Sequence, residues 1–85
     1  MAYEDLYRDR IYALCKSRRI SINKLATMSG VKQSTLDNIV RGITKNPGMK
    51  TLHKLAIAFN MTPAEFLDFE ELNAYSFDDE DENEL

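Results

Sequence analysis

Apolar residues recur along this chain at helical spacing, in short blocks separated by glycine, proline and capping residues. Over 4–18, Tyr7, Ile11, Leu14 and Cys15 fall at i, i+4, i+7 and i+8, which makes one buried stripe. A second helix is expected over about 22–29, with Ser21 as its N-cap and Leu25 and Ala26 turned inward. Gly30 follows and suits the left-handed conformation that closes a helix; Val31 plugs the turn. The third helix is expected over about 32–41 and stops at Gly42. A loop punctuated by Pro47-Gly48 leads to a fourth helix over about 49–60, with Leu52, Leu55, Ala56 and Phe59 inward. Thr62-Pro63-Ala64-Glu65 is the strongest helix start in the chain: a Thr cap, a Pro at the first helical position, and a Glu three residues after the cap. The fifth helix carries Phe66 and Leu67 and is expected to extend weakly to Tyr75. From Ser76 onward the chain has too few apolar residues to order itself. No strand alternation competes and no internal repeat is visible. The pattern predicts an all-α fold of five helices, one domain over 4–69, and a mostly disordered acidic tail over 70–85.

The third helix carries the most informative pattern. Gln33, Ser34, Asp37, Asn38 and Arg41 fall within an arc of roughly 140° at 3.6 residues per turn. Thr35, Leu36, Ile39 and Val40 fill the opposite arc. One side is built to bury; the other offers amides, a hydroxyl, a carboxylate and a cation. A helix that packs on a core while laying its outer face along base edges needs this division. The competing reading is an ordinary solvated helix face.

Length and charge narrow the field. Eighty-five residues make one small domain of modest stability. With a single cysteine there is no internal disulfide, and one Cys with one His is too little for a zinc site. Cys15 lies on the buried stripe and reads as a small core residue rather than a reactive thiol. The charged start MAYEDLYRDR has no apolar signal region, and no apolar run approaches the roughly 18 residues of a membrane span. A cytoplasmic location is therefore expected. No nucleophile–base pair, metal cluster or glycine-rich phosphate loop supports an enzyme, a cofactor or a small-molecule ligand. His53, the one histidine, is expected to be exposed. The net charge of −3 conceals a polarity. Residues 1–64 hold all 11 Lys and Arg against four acids, Glu4, Asp5, Asp9 and Asp37; residues 65–85 hold the other ten acids and no cation. A basic body suits an anionic partner, although two solvated surfaces of unlike sign would read the same way.

With its elements in this order, the chain resembles the lambda-repressor-like helix-turn-helix family, the Cro/C1 or XRE type, over about Arg10 to Leu67. Leu25-Ala26, Ser29-Gly30-Val31, Gln33-Ser34-Thr35-Leu36, Ile39, Arg41-Gly42, Pro47, Thr51-Leu52, Leu55-Ala56 and the closing helix of Pro63 to Leu67 carry the resemblance. It implies a recognition helix in the major groove, with Gln33, Ser34 and Asn38 facing bases. Gln and Asn amides can each bond adenine at two points, and Asp37 could accept from cytosine N4 while repelling phosphate. The resemblance also implies phosphate contacts from Ser21, Asn23 and Lys32, from Arg41, and from Thr44, Lys45 and Asn46 in the loop after the recognition helix.

Three positions depart from the family pattern. Lys32 replaces a Ser or Thr cap, Arg19 replaces a frequent glycine before the second helix, and Cys15 and Val40 stand where phage repressors often bury an Arg–Glu pair. An apolar contact is expected in place of that pair. The expected function is a sequence-specific regulator of transcription, a repressor that binds a palindromic operator in double-stranded DNA as a homodimer. Ile43, Phe69, Tyr75 and Phe77 are candidate dimer contacts. The alternative is an antitoxin-like interaction module whose acidic tail binds a protein partner; the tail would otherwise serve solubility or compete with phosphate on the DNA-facing side.

Overall fold

The computed structural model describes residues 2–79 and is helical throughout: α1 (Tyr3–Arg18), α2 (Ile22–Ser29), α3 (Gln33–Val40), α4 (Met49–Ala58), α5 (Pro63–Leu67) and α6 (Glu70–Asn73), then a 3₁₀ turn over Phe77–Asp79. No strand is present among the described residues. α3 packs on α1 and α2, α4 packs on α2, and α5 packs on α4.

Each boundary has a local cause. Ser21 accepts a hydrogen bond from the Lys24 amide and opens α2. Gly30 closes it at φ 74°, its amide donating to the Ala26 carbonyl. α3 is a residue shorter at each end than expected, because Lys32 and Arg41 serve as its caps. α4 ends at Ala58 rather than at residue 60: Asn60 turns left-handed at φ 61°, a conformation asparagine tolerates. At α5 the Thr62 hydroxyl accepts from the Glu65 amide while the Glu65 carboxylate accepts from the Thr62 amide, a complete capping box.

The expectation of a fifth helix running weakly to Tyr75 is corrected. α5 stops at Leu67, Phe69 adopts extended backbone at φ −137°, and a separate four-residue helix, α6, follows. The first residues of the acidic tail make contacts as far as Asp79. Tyr75 and Phe77 join Tyr3 in an aromatic cluster with ring centroids 4.9–5.4 Å apart, and the Asp78 amide donates to the Ser76 hydroxyl. Tyr3 supplies the apolar surface that the tail lacks. Residues 80–85, the rest of the tail expected to be disordered, lie outside the described residues.

The core gathers Tyr7, Ile11, Leu14 and Cys15 of α1, Leu25 and Ala26 of α2, Val31, Leu36, Ile39 and Val40 around α3, Leu52, Leu55 and Ala56 of α4 with Phe59 at its C-cap, and Phe66 of α5. Leu6, missed by the stripe, is also buried. Cys15 and Val40 lie in the same apolar cluster, as the replacement of an ion pair requires, and burial pushes the Cys15 thiol pKa up. Phe59 and Phe66 stack with centroids 6.3 Å apart and lock α4 to α5.

Two arginines of α1 finish the packing. The Arg10 guanidinium donates to the Phe66 and Glu65 carbonyls, both at 2.9 Å, and lies over the Phe69 ring at 5.0 Å. Eight residues on, Arg18 donates to the Phe59 carbonyl at 3.2 Å and lies over the Phe59 ring at 5.4 Å. Arg10 and Arg18 donate to the Phe66 and Phe59 carbonyls at helix C-termini. Arg10 adds a second donor to the Glu65 carbonyl that the Asp68 amide also bonds, and each arginine adds a cation–π contact. Arg19 turns left-handed at φ 56° to close α1, which explains why glycine would suit this position. Replacing Arg10 with alanine should remove both charged hydrogen bonds and cost about 2 kcal/mol of stability in urea denaturation. Arg10→Lys should recover only part of that, since a lysine ammonium cannot reproduce the planar fork.

Candidate nucleic-acid interface

The turn between α2 and α3 is set by residues rather than by length alone. The Ser29 hydroxyl donates to the Ala26 carbonyl and accepts from the Val31 amide, bridging Gly30 on both sides. Val31, 7% exposed, then anchors the start of α3. Leu36, Ile39 and Val40 are buried, so α3 is clamped along one face and its polar arc is left outward. Gln33, Ser34 and Arg41 are exposed, and Asp37 and Asn38 are half-buried beside them. The five residues expected on one face share it.

Within that face one contact was not foreseen. Gln33 Nε2 donates to Asp37 Oδ1 at 2.9 Å, one helical turn away. The first turn of α3 begins at Lys32, which supplies no side-chain hydrogen bond to it, as its replacement of a Ser or Thr implied. Lys32 is exposed and forms no ion pair among the described residues, so a cation and amides without a side-chain cap stand together at the start of the helix.

The loop after α3 is tied to it by main-chain bonds. The Asn38 carbonyl accepts from the amides of Ile43 and Thr44 at 2.9 and 3.0 Å, and Gly42 makes the bend at φ 75°. This holds Thr44, Lys45 and Asn46 beside the end of the helix. Lys45 then reaches back to α1, where its Nζ meets Glu4 Oε2 at 2.9 Å; the lysine is 73% exposed and the carboxylate 17%. The hydrogen bond from Lys45 holds the Glu4 carboxyl below the ordinary carboxylate range. Arg41 remains exposed at the C-cap of α3. On α2, Ser21 uses its hydroxyl oxygen as the cap acceptor, and Asn23 is exposed in the first turn.

Sequence reasoning missed the positions that organise this surface from a distance. Glu4 was counted only as an acid opposing the basic body, although it holds Lys45 from 41 residues away. Arg10 and Arg18 were counted as part of that basic body, although both are committed to main-chain carbonyls of the fold. Arg8 pairs with Asp5 and Asp9 at 3.1 and 3.0 Å. The Asp9 contact is signalled by adjacency and the Asp5 contact by the i,i+3 spacing; nothing in the spacing signals the others.

Among the described residues no group of His, Cys, Asp and Glu is arranged to hold a metal ion, and no helix is long and apolar enough to cross a membrane. His53 is exposed on α4.

Comparison with known proteins gives the surface its context. Residues 4–71 match the family model for the Cro/C1-type HTH DNA-binding domain. The chain is 39% identical over 62 residues to the HTH-type transcriptional regulator SlrR of Bacillus subtilis (strain 168), a match that spans 72% of this chain and 41% of SlrR. The chain therefore corresponds to less than half the length of that relative. The crystal structure of the prophage Lp1 protein 11 superposes with a TM-score of 0.78 at 25% identity, covering 88% of this chain and 100% of that one.

The bare start of α3 makes a direct prediction. Lys32→Ser should supply the missing cap and raise the urea midpoint by the equivalent of about 1 kcal/mol. An unchanged midpoint would show that the first amides of α3 are already satisfied.

Proposed function

The chain belongs to the family of Cro/C1-type helix-turn-helix DNA-binding domains, and we propose that it regulates transcription by reading a specific operator through α3. The observation that carries this reading is the outward arc of Gln33, Ser34, Asp37, Asn38 and Arg41 on a helix clamped by Leu36, Ile39 and Val40. Gln33, Ser34 and Asn38 face base edges in the major groove, where amide side chains match the donor–acceptor pair of adenine. Ser21, Asn23, Lys32, Arg41, Thr44, Lys45 and Asn46 position the module on phosphates. Helix starts with exposed amides favour that role on α2 and α3.

A single module of this size reads a short half-site, and useful affinity normally comes from two modules one helical turn apart. The proposed assembly is a homodimer on a palindrome, acting as a repressor by occluding its site. Ile43, 57% exposed in the loop after α3, is the apolar residue best placed to serve as a dimer contact near the DNA. Phe69, Tyr75 and Phe77 are weaker candidates, because Phe69 lies under Arg10 and the other two pack on Tyr3. A cytoplasmic location follows from this role.

Selection of bound sequences from a random duplex library tests the proposal. An enriched palindrome supports a sequence-specific dimer, and its spacing reports the dimer geometry. Absence of enrichment by folded protein would overturn the reading in favour of a protein-interaction module of the antitoxin kind, with the acidic tail as its contact. Two variants separate the contact classes. Gln33→Ala should relax preference at one or two base positions, at a cost of about 1–3 kcal/mol on the preferred site. Lys45→Ala should weaken binding on every sequence and flatten the salt dependence by about one unit of slope. Uniform loss for Gln33→Ala, or an unchanged slope for Lys45→Ala, would remove that residue from its role.

A further inference from the structure

We propose that Asp37 is a positioning residue that makes Gln33 select adenine over guanine, rather than a base contact in its own right. The inference rests on the base-reading function proposed above and adds the mechanism of its selectivity. Gln33 is the first residue of α3 and is exposed, so nothing in the core fixes its side chain. Asp37 follows one turn later and is half-buried. Side chains on a helix lean toward its N-terminus, which carries the Asp37 carboxylate up toward Gln33. The result is the 2.9 Å bond from Gln33 Nε2 to Asp37 Oδ1. Among the described residues no Lys or Arg forms an ion pair with Asp37, so the bond to Gln33 does not compete with a stronger partner.

The chemistry of a primary amide then decides what is left to read DNA. The group has two N–H donors and one carbonyl acceptor. Its carbonyl and the N–H nearer to that carbonyl lie along one edge, the edge that pairs with adenine N6 and N7. The farther N–H can go to a carboxylate without disturbing that edge. Asp37 also forbids the flipped amide, because that would set the Gln33 carbonyl against a carboxylate oxygen, acceptor against acceptor. Guanine presents two acceptors, O6 and N7, to the major groove. A Gln33 free to rotate could turn both N–H groups toward that pair; a Gln33 held by Asp37 keeps a carbonyl in the reading edge and meets guanine with an acceptor. The carboxylate thus rejects a base that it does not touch, which is specificity by repulsion transmitted through a neighbour.

The test is the duplex-library selection run on the full chain and on four variants: Asp37→Ala, Asp37→Asn, Gln33→Ala and the double variant Gln33→Ala with Asp37→Ala. Circular dichroism of each variant confirms the folded state first. The wild-type protein is expected to enrich adenine at one position of each half-site. Asp37→Ala should lower adenine-over-guanine preference about five- to tenfold at that position and leave the remaining positions intact. Asp37→Asn should keep most of the preference, because its carbonyl can still accept from Gln33, while raising affinity on every sequence through loss of a negative charge near phosphate. In the Gln33→Ala background, Asp37→Ala should have no further effect at that position. Enrichment by the wild type with a loss of cytosine at a different position in Asp37→Ala would show that Asp37 contacts a base directly, and would overturn this assignment alone. A change in affinity that is equal on all sequences would do the same, reducing Asp37 to a field effect. No enrichment by the folded wild-type protein would overturn the base-reading function and this assignment with it.

Discussion

The polar face of α3 depends on how that helix is held from behind. An isolated helix of eight residues is unstable in water, because nucleation fixes several residues for a single hydrogen bond. α3 exists because Leu36, Ile39 and Val40 are buried against α1 and α2, with Val31 fixing its entry. The clamp also sets rotation about the helix axis. Turning α3 by one residue would carry a polar group inward, at the cost of a buried unsatisfied donor or acceptor. The outward position of Gln33, Ser34 and Arg41 is therefore an indirect product of apolar packing. Gly30 and Ser29 contribute by bringing the chain back onto α2 in a single tight turn.

The cations divide into two populations with different work. Arg10 and Arg18, eight residues apart on α1, reach the carbonyl ends of α5 and α4 and cover the rings of Phe66, Phe69 and Phe59. They tie together helices that lie 41 and more residues apart in sequence, and they do so where helix carbonyls would otherwise face water. A count of positive charge overstates the electrostatic surface by including them. Lys32 and Arg41 are exposed at the two ends of α3 and form no ion pair among the described residues.

How much of this was legible in the sequence follows the range of the interaction. Helix positions came from periodicity, and their starts and stops came from Ser21, Gly30, Gly42 and the Thr62–Glu65 box, all of which act within four residues. The polar arc of α3 was readable for the same reason. The end of α4 was misplaced by two residues because Asn60, not a glycine, takes the left-handed turn. The contacts of Tyr75 and Phe77 were not legible because their partner, Tyr3, lies at the other end of the chain. Likewise the bond from Lys45 to Glu4 and those from Arg10 to Glu65 and Phe66 join residues that no local pattern relates. The Gln33–Asp37 bond is the exception: its i,i+4 spacing was visible, but an amide and a carboxylate on one face could equally have pointed apart.

The pairing of Lys45 with Glu4 bears on how strongly such a surface can bind. In the free protein that lysine already has a carboxylate at 2.9 Å, so a phosphate arriving there would exchange one anion for another rather than neutralise a bare charge. The electrostatic gain at this position would be smaller than at Lys32, which forms no ion pair among the described residues. In compensation the loop is tied to α3 by main-chain bonds, so less conformational entropy would be lost if it docked on a phosphate. A preformed contact of this kind would add less affinity than a bare lysine would, while keeping the loop in register with α3. On the proposed function, that balance would favour discrimination over tight non-specific binding and would leave a second module to supply the remaining affinity.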